Sequence, residues 1–388
     1  MTQAVVGREC DKSFRGNQRV VRAALIGLGK MGLSHYAIVN SHPDIELVAV
    51  SDKAGYVLDV LHKYTGIKCY TSYQELLANE TLDAVFIATP SHTHGEIVRM
   101  ALERDLHVFC EKPFCLDLNE GLALAQLAES KAVINQVGYH YRFIATFEEA
   151  KRLLDAGAIG TVHHVRAEAY GPVVLRPQGF TWRQSKKEGG GCLYDYACHA
   201  IDLMNYFVGP PDAVGGTVLN KIFSQDVEDE VYGTFYYSDG RTGQIAANWS
   251  DESFRKMAIK VSLWGTKGRI TADRQELQIY LRETEEPSLG LTRGWNTRYT
   301  TDLTEEVWFY LRGEEYSAQI DHFVSSITLG KGTTKSNFRS ALDTDKIVFM
   351  MLQDFAAPRS AGGELVSGTV GMPRPPRGFR SKFRRLFS

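Results

Sequence analysis

The chain has 388 residues, which favours two domains over one, and it is 44% hydrophobic and 23% charged, a balance typical of a globular protein. Its formal net charge of -2 gives no global attraction to nucleic acid or to a membrane surface. The N-terminus lacks the apolar run of a signal peptide, and no segment approaches the ~20 apolar residues of a membrane span, so we expect a cytoplasmic protein.

The first predicted elements of the chain are a strand, a glycine string and a helix. Val20 to Ile26 is an apolar run of strand length, and Leu33 to Val39 has a helical pattern. Between them lies a GxGxxG string, whose glycines allow a tight turn, a close approach of a diphosphate and close packing of helix on strand. We therefore predict a dinucleotide-binding turn with cofactor contacts at Gly27, Gly29, Lys30, Met31 and Gly32.

A second strand, Glu46 to Ser51, ends at an acidic residue. Asp52 follows the last glycine of the string by about 20 residues, the spacing at which a carboxylate binds the adenosine ribose of a dinucleotide. Because a carboxylate there repels a 2′-phosphate, the cofactor is predicted to be NAD rather than NADP, although Lys53 weakens this preference. The alternative interpretation of Asp52 is an ordinary turn residue at a strand end.

Strand and helix patterns then alternate along the first half of the chain. This alternation predicts an α/β fold, a doubly wound parallel sheet that binds its ligand at the carboxyl ends of the strands. Two strings lie at such ends, and they supply the further cofactor candidates Thr89, Pro90, His94 and Glu111. The predicted elements are the strands 83–88, 106–110 and 133–138 and the helices 91–103 and 119–129.

Lys112 follows a buried-looking strand and precedes a proline. The proline restricts the backbone of Lys112, and a cis peptide bond at this position would fix the direction of the side chain. A lysine at the cofactor cleft can donate a hydrogen bond to a reacting oxygen and stabilise developing negative charge. A surface lysine in a turn is the alternative.

A run of three glycines, 189–191, precedes Asp195 and His199, which are spaced i, i+4. If a helix runs from Asp195 to Phe207, both side chains lie on one face, and the acid can orient the imidazole and raise its pKa. A half-buried structural histidine is the alternative. Six scattered cysteines, among them Cys192 and Cys198, lack metal-ligand spacing, so no metal site is predicted and the thiols are expected to be reduced.

Other polar residues are weaker candidates. Ser91 is a candidate helix cap, with His92 and His94 in the first turn, where His94 contacts the cofactor or only starts the helix. His163 and His164 lie within a strand pattern and are taken as structural. The candidate substrate contacts are Arg142, Trp182 and Arg183, with a basic stretch around them formed by Arg176, Lys186 and Lys187.

Together these residues resemble the Gfo/Idh/MocA family of oxidoreductases. The matching strings, in chain order, are 27–32, 88–90, 111–113, 138–143, 156–160, and 189–195 with His199 and Asp202. The resemblance implies a Rossmann domain followed by an α+β domain with a large, open, mostly antiparallel sheet that often carries the subunit contact, hence a homodimer or homotetramer. It also implies that Lys112 and His199 are catalytic, supported by Asp195, and that these three contact substrate. Members often have Asn-Arg or Arg-Arg just before the phenylalanine matched by Phe143, whereas this chain has Tyr141 and Arg142.

The second half of the chain agrees with this architecture. We expect an N-terminal extension (1–20), a Rossmann domain (21–142), a substrate and oligomerisation domain (143–357) and a tail (358–388). Gly240 and Gly265 are predicted to mark turns. The predicted strands are 161–170, 213–223, 230–238, 242–249, 257–264 and 277–281, and the predicted helices are 316–329 and 337–352.

The combined pattern predicts hydride transfer between NAD and a secondary hydroxyl of a sugar, sugar nucleotide or cyclitol. His199 takes the hydroxyl proton and Lys112 hydrogen-bonds the reacting oxygen. The basic stretch favours a nucleotide sugar, with a solvated loop as its alternative. Two other functions are considered: an NAD-dependent glycosidase that oxidises its substrate transiently, and a non-catalytic sugar-sensing regulator, which would be free to lose the catalytic residues. Nucleic-acid binding is not expected.

The C-terminal tail has six basic and no acidic residues from Gly371 to Ser388. Its apolar residues recur at i, i+4, i+7 and i+8, the pattern of a short basic amphipathic helix that could lie weakly on an anionic membrane through residues 379–388. A disordered solubilising tail, or one docked on a neighbouring subunit, are the alternatives. The apolar residues are Phe379, Phe383, Leu386 and Phe387.

Overall fold

A computed structural model describes residues 20–358, apart from 175–181, 284, 306, 311, 312 and 331. The predictions for the N-terminal extension, for Arg176 and for the tail from residue 359 onward therefore fall outside the described residues, as does the side chain of Trp182. One unit of the chain ends at Phe355, and a second begins at Ala356.

The first half of the chain forms a six-stranded sheet in which every neighbouring pair of strands is parallel. Helices alternate with the strands, as predicted. The strands are β1 (Val21–Ile26), β2 (Ile45–Ser51), β3 (Lys68–Tyr70), β4 (Ala84–Ile87), β5 (His107–Cys110) and β6 (Asn135–Val137). The helices are α1 (Lys30–Ser41), α2 (Gly55–Thr65), α3 (Tyr73–Asn79), α4 (His94–Glu103) and α5 (Leu118–Ser130).

The strand order β3-β2-β1-β4-β5-β6 is that of a doubly wound dinucleotide-binding sheet. Because the order reverses beside β1, the carboxyl ends of β1 and β4 flank a crevice. The central strand β4 is apolar throughout and all four of its residues are buried, as expected for a sheet covered by helices on both faces. The predicted Rossmann fold is thus confirmed.

The second half forms an eight-stranded sheet of order β14-β13-β12-β11-β7-β10-β9-β8. Only β7 and β10 pair in parallel, so the predicted mostly antiparallel sheet is confirmed among the described residues. The strands are β7 (Val162–Tyr170), β8 (Ala213–Asn220), β9 (Glu230–Tyr236), β10 (Thr242–Asn248), β11 (Ala258–Gly265), β12 (Gly268–Asp273), β13 (Glu276–Leu281) and β14 (Gly294–Tyr299).

Five helices accompany the second sheet: α6 (Ala145–Asp155), α7 (Cys198–Val208), α8 (Thr300–Leu303), α9 (Glu314–Thr328) and α10 (Phe338–Ala356). The helix α6 packs on β12 and β13, and α7 packs on β7 and β11. The helix α9 returns to the first sheet and packs on α1 and β1, as expected for a helix that follows a sheet-rich segment. In the described part of the chain, no helix is long and apolar enough to span a membrane.

Several elements differ from the sequence prediction. The strands β3, β12 and β14 were not predicted, because β3 has only three residues and the other two mix polar, glycine and apolar residues. Gly265 is the last residue of β11 rather than a turn residue. Ser91 begins a 3-10 turn (Ser91–Thr93) and does not occupy a cap position: the residue before this turn is Pro90, and the residue before α4 is Thr93.

A substitution at Gly32 tests how closely α1 packs on the glycine turn. A Cβ at Gly32 would lie 2.0 Å from the carbonyl oxygen of Gly27, whereas a Cβ at Gly29 would meet no atom within 4 Å. We therefore expect Gly32→Ala to lower the free energy of unfolding by about 1–3 kcal/mol through overpacking. Gly29→Ala, the matched control, should change it by less than about 0.5 kcal/mol. Denaturant unfolding measures both, and equal stability of the two variants would contradict the packing argument.

Candidate active site

The strand order brings the sequence strings to one edge of the first sheet. The glycine string follows β1, Thr89 and Pro90 follow β4, and Glu111 and Lys112 follow β5. Since β1, β4 and β5 are neighbours in the sheet, the three strings lie side by side at its carboxyl edge. The peptide bond between Lys112 and Pro113 is cis, the isomer that the sequence allowed without deciding.

The glycine turn has the shape that a dinucleotide diphosphate requires. Gly27 has φ +96°, and a Cβ there would lie 2.6 Å from the carbonyl oxygen of Ala88, so only glycine fits. The space around Gly29 is open, and α1 begins at the exposed Lys30 without a side-chain cap. The amides of a helix start without such a cap can bind an anion. These residues therefore fit NAD.

Asp52 contacts the same turn. Its Oδ2 accepts a hydrogen bond from the amide of Leu28 at 2.6 Å, and its Oδ1 accepts one from the amide of Ala54 at 2.7 Å. The carboxylate is thus placed at the end of β2 against the glycine turn, and it also performs the turn-holding role of the alternative interpretation. Its contact with a ribose stays a prediction.

The catalytic candidates meet in an ion cluster. Lys112 Nζ donates to Asp195 Oδ1 at 2.9 Å and to the Asp195 carbonyl oxygen at 3.1 Å. Arg183 Nε donates to Asp195 Oδ2 at 2.8 Å. Asp195 is buried, and the side chain of Lys112 is only 12% exposed. Each oxygen of one buried carboxylate therefore binds a different cation.

The charges in this cluster reinforce one another. Burial alone would raise the pKa of Asp195, but Lys112 and Arg183 outweigh it and lower that pKa from 3.8 to about 2. Burial would likewise favour a neutral Lys112, yet the Asp195 carboxylate outweighs burial and raises the lysine pKa from its ordinary 10.5. Lys112 is therefore an ammonium group and Asp195 a carboxylate at neutral pH.

The prediction that Asp195 orients His199 is wrong. The Asp195 carboxylate binds Lys112 and Arg183, and the buried Nδ1 of His199 has no hydrogen-bond partner among the described residues. The reason is local geometry. Leu193–Ala197 is a π-helical turn, which α7 continues from Cys198, so the relation expected of an i, i+4 pair in a regular α-helix does not apply.

His199 lies in an aromatic enclosure instead. The rings of Tyr139, His140 and Tyr141, three consecutive residues after β6, present edge contacts at centroid distances of 5.9, 5.1 and 5.2 Å from His199. Burial, followed by the charge of Lys112 and the neighbouring His140, holds the pKa of His199 well below 6.5, opposite to the predicted direction. His199 is therefore a neutral imidazole, able to accept a proton.

A contact between His35 and Glu111 links the helix after the glycine turn to Lys112. His35, on the buried face of α1, contacts Glu111 through Nε2 and Oε1 at 2.7 Å. The other oxygen of Glu111 accepts the amide of Lys112 at 3.2 Å. Burial opposes ionisation of Glu111, but His35 outweighs it, and the pKa of Glu111 is lowered. The direct cofactor contact predicted for Glu111 stays a prediction.

The glycine run before Asp195 is required by its neighbours. Gly189 and Gly191 have φ of +79° and +110°, and a Cβ at Gly191 would lie 2.3 Å from a carboxylate oxygen of Glu228. That carboxylate accepts the amide of Leu193 at 2.8 Å and so fixes the start of the π turn. The run therefore has a structural reason that acts directly on the position of Asp195.

Two predicted ligand contacts are corrected by their partners. Arg142 is buried and donates to both oxygens of Asp202, at 2.8 and 2.6 Å, so it holds α7 rather than facing a substrate. His94 is fully buried, and its two ring nitrogens contact the carbonyl oxygens of Pro113 and Thr89 at 2.8 and 3.0 Å. It braces the loops that carry the site and leaves no ring nitrogen for a cofactor.

The remaining candidate residues differ in their exposure to solvent. Lys186 and Lys187 are exposed in a 3-10 turn (Lys186–Glu188), and His92 is exposed. Cys192 and Cys198 are buried free thiols, and no group of three or more His, Cys, Asp or Glu side chains in the described residues could hold a metal ion.

Three residues near the site were missed. Tyr316 on α9 stacks on His140 at a centroid distance of 4.3 Å, and His35 contacts Glu111. The altered string before Phe143 was a signal for His140. The other two carry no local signal, because their partners are distant in sequence.

The buried pair of Arg142 and Asp202 gives a test of its structural role. Arg142→Met leaves the buried Asp202 without its partner, and we expect the free energy of unfolding to fall by about 3–5 kcal/mol. The double variant Arg142→Met/Asp202→Leu removes both charges and should recover most of that loss. Thermal unfolding of the three proteins measures this. A single variant as stable as the wild type, with a raised KM, would return Arg142 to the substrate-contact role.

Comparisons with known proteins agree with this geometry. The oxidoreductase family Gfo/Idh/MocA, with an NAD-binding Rossmann fold, matches residues 21–139, and its C-terminal domain matches residues 147–271. The chain is 28% identical over 319 residues to the NAD-dependent scyllo-inositol 2-dehydrogenase of Bacillus subtilis, covering 80% of this chain and 87% of that one.

A further relative and a solved structure also match over most of the chain. A putative UDP-kanosamine synthase oxidoreductase subunit of Amycolatopsis mediterranei is 28% identical, over 88% of this chain and 97% of that one. The solved structure of GenD2 from gentamicin A biosynthesis, in complex with NAD, is 26% identical with a TM-score of 0.72. The match covers 89% of this chain and 97% of that one. The chain belongs to the Gfo/Idh/MocA family of NAD-dependent oxidoreductases.

Proposed function

We propose that this protein oxidises a secondary hydroxyl of a sugar, sugar nucleotide or cyclitol with NAD, and catalyses the reverse reduction. One observation carries the proposal. A buried ammonium group, Lys112, and a buried neutral imidazole, His199, lie together beside a turn shaped for a dinucleotide. An ammonium group can donate a hydrogen bond to the reacting oxygen, and a neutral imidazole can accept the hydroxyl proton, so the two groups have the protonation forms that oxidation of a hydroxyl uses.

Each residue has a distinct task in this mechanism. The nicotinamide of NAD, when bound, exchanges the hydride. Neutral His199 accepts the hydroxyl proton during oxidation and returns it during reduction. The Lys112 ammonium donates a hydrogen bond to the reacting oxygen and stabilises its negative charge. Asp195, held also by Arg183, keeps Lys112 charged and aimed.

We propose a preference for NAD over NADP. The Asp52 carboxylate beside Leu28 would repel a 2′-phosphate. Lys53 next to it limits the strength of this discrimination.

For the substrate we favour a nucleotide sugar. Exposed Lys186 and Lys187 lie just before the glycine run, on the same segment as Arg183, and cations of this kind can bind a diphosphate. The relatives named for an inositol and for a UDP-sugar bracket the class. The alternative, a solvated basic loop, predicts activity on free sugars or inositols instead.

We also propose an assembly and a domain division. The outer face of the second sheet exposes Tyr236, Tyr280, Trp295 and Tyr299 and would form the contact of a homodimer or homotetramer. The division at residues 142/143 and a cytoplasmic location follow from the sequence. Contact of the tail with an anionic membrane is a further proposal.

The function is tested by NADH absorbance with purified protein, NAD or NADP, and a panel of free sugars, inositols and nucleotide sugars. A rise in NADH with nucleotide sugars and NAD is expected. A rise with free sugars or inositols alone would refute the proposed substrate class. Substrate conversion without net NADH would instead indicate a cycle of transient oxidation, as in the glycosidase alternative, and binding of cofactor and sugar without any conversion would favour a regulator.

The two acid–base roles are tested by substitution. Lys112→Ala and His199→Ala should each lower kcat by a factor of roughly 10² to 10⁴, the usual contribution of a positioned acid or base. Lys63→Ala and His163→Ala, at exposed positions on α2 and β7, are the matched controls and should leave kcat unchanged. Near-normal kcat in Lys112→Ala and His199→Ala would refute these roles.

The pH dependence follows from the pKa directions. With His199 titrating well below 6.5 and Lys112 above 10.5, kcat/KM should have no histidine-like limb and should be flat from about pH 6.5 to about pH 9. Asp195→Asn removes the carboxylate that raises the Lys112 pKa, and burial then lowers that pKa. As the pH rises, the variant should therefore lose activity at a lower pH than the wild type does. Asp239→Asn, at a surface ion pair, should keep the wild-type profile. An unchanged alkaline limb in Asp195→Asn would contradict the proposed coupling.

A further inference from the structure

The three residues after Lys112 are held by two helices, α4 and α10. The Pro113 carbonyl oxygen contacts His94 Nδ1 of α4 at 2.8 Å. The Phe114 ring stacks on Phe338 of α10 at a centroid distance of 4.2 Å. The Cys115 amide donates to Oδ2 of Asp345, also on α10, at 3.1 Å. The direction of Lys112 therefore depends on residues 112–115, the lysine loop, which α10 holds at two points.

The same helix also holds the element that carries His199. Thr344 Oγ1 lies 3.5 Å from Oδ1 of Asp202, and it accepts a hydrogen bond from Asn205 Nδ2 at 3.2 Å. Asp202 and Asn205 belong to α7. Two adjacent residues of α10 thus contact the lysine loop and the histidine helix.

We propose that Asp345 is a positioning residue of the active site, which holds the Cys115 amide and thereby fixes the loop that aims Lys112 at Asp195. This inference rests on the proposed function of Lys112. Asp345 does not touch the reacting groups, and it acts through four residues of backbone.

The surroundings of Asp345 distinguish it from an ordinary surface aspartate. It is buried, and its Oδ1 has no partner among the described residues. Burial raises its pKa from 3.8 to about 8, the Cys115 amide opposes the rise, and Asp202 adds to it. The titratable groups that face it are Cys110, Cys115, Tyr139, Tyr194, Cys198 and Asp202, of which Asp202 is paired with Arg142.

This environment gives a signature in stability. Between its ordinary value of 3.8 and about 8, the folded protein holds a proton on Asp345 that the unfolded chain has released. The free energy of unfolding therefore falls as the pH rises through that window. In Asp345→Asn the amide oxygen can still accept a hydrogen bond from the Cys115 amide, but the side chain cannot ionise. The loss of stability with rising pH should therefore disappear in that variant.

The experiment compares Asp345→Ala and Asp345→Asn in the full chain. Acetylation of Lys112 by limiting acetic anhydride, measured by mass spectrometry against exposed Lys63, reports the accessibility of Lys112 without any substrate. We expect several-fold faster acetylation in Asp345→Ala and wild-type acetylation in Asp345→Asn. In turnover, Asp345→Ala should lower kcat by about 10- to 100-fold at unchanged dinucleotide affinity, since misplacement by about 1 Å can cost a factor of 10².

The matched control is Asp354→Ala. Asp354 lies on the same helix, and its Oδ2 accepts the amide of Thr217 at 2.7 Å, in the middle of the edge strand β8 rather than at the lysine loop. Equal acetylation in Asp345→Ala and the wild type would overturn the inference. So would equal changes in Asp354→Ala, or an Asp345→Asn variant that behaves like Asp345→Ala. If the wild type turns over no substrate, the proposed function fails, while acetylation still decides the position of Lys112.

Discussion

The site depends on one buried carboxylate that joins two separately built sheets. Asp195 enters from the second domain, Lys112 from a strand end of the first, and Arg183 from the segment before the glycine run. Burial of an unpaired ammonium or carboxylate costs several kcal/mol, so neither charge would be stable there alone. The pair therefore constrains how the loop that carries Lys112 and the π turn meet.

The same burial divides the chemistry between two groups. Lys112 stays charged because a carboxylate is 2.9 Å away, and His199 stays neutral because aromatic rings surround it. The two environments are adjacent but opposite in polarity. A fold that supplies a carboxylate to one group and rings to the other separates their pKa values without a metal ion being needed for that purpose.

The sequence predicted what depends on local order and missed what depends on distant partners. The strings at strand ends were correctly brought to one edge, because a parallel sheet places all carboxyl ends together. Arg142 was misassigned because its partner Asp202 is 60 residues away. The i, i+4 spacing of Asp195 and His199 misled because hydrophobic periodicity does not distinguish a π turn from an α-helical one. His94 looked like a ligand group because residue type alone does not reveal a buried partner.

The contact between His35 and Glu111 has a mechanical consequence. It ties the helix that follows the glycine turn to the strand end that carries Lys112, because one carboxylate contacts both. Lys112 in turn contacts Asp195, which comes from the second half of the chain. Three consecutive contacts therefore connect the helix after the glycine turn to the π turn, so a displacement of that helix would be transmitted to Asp195.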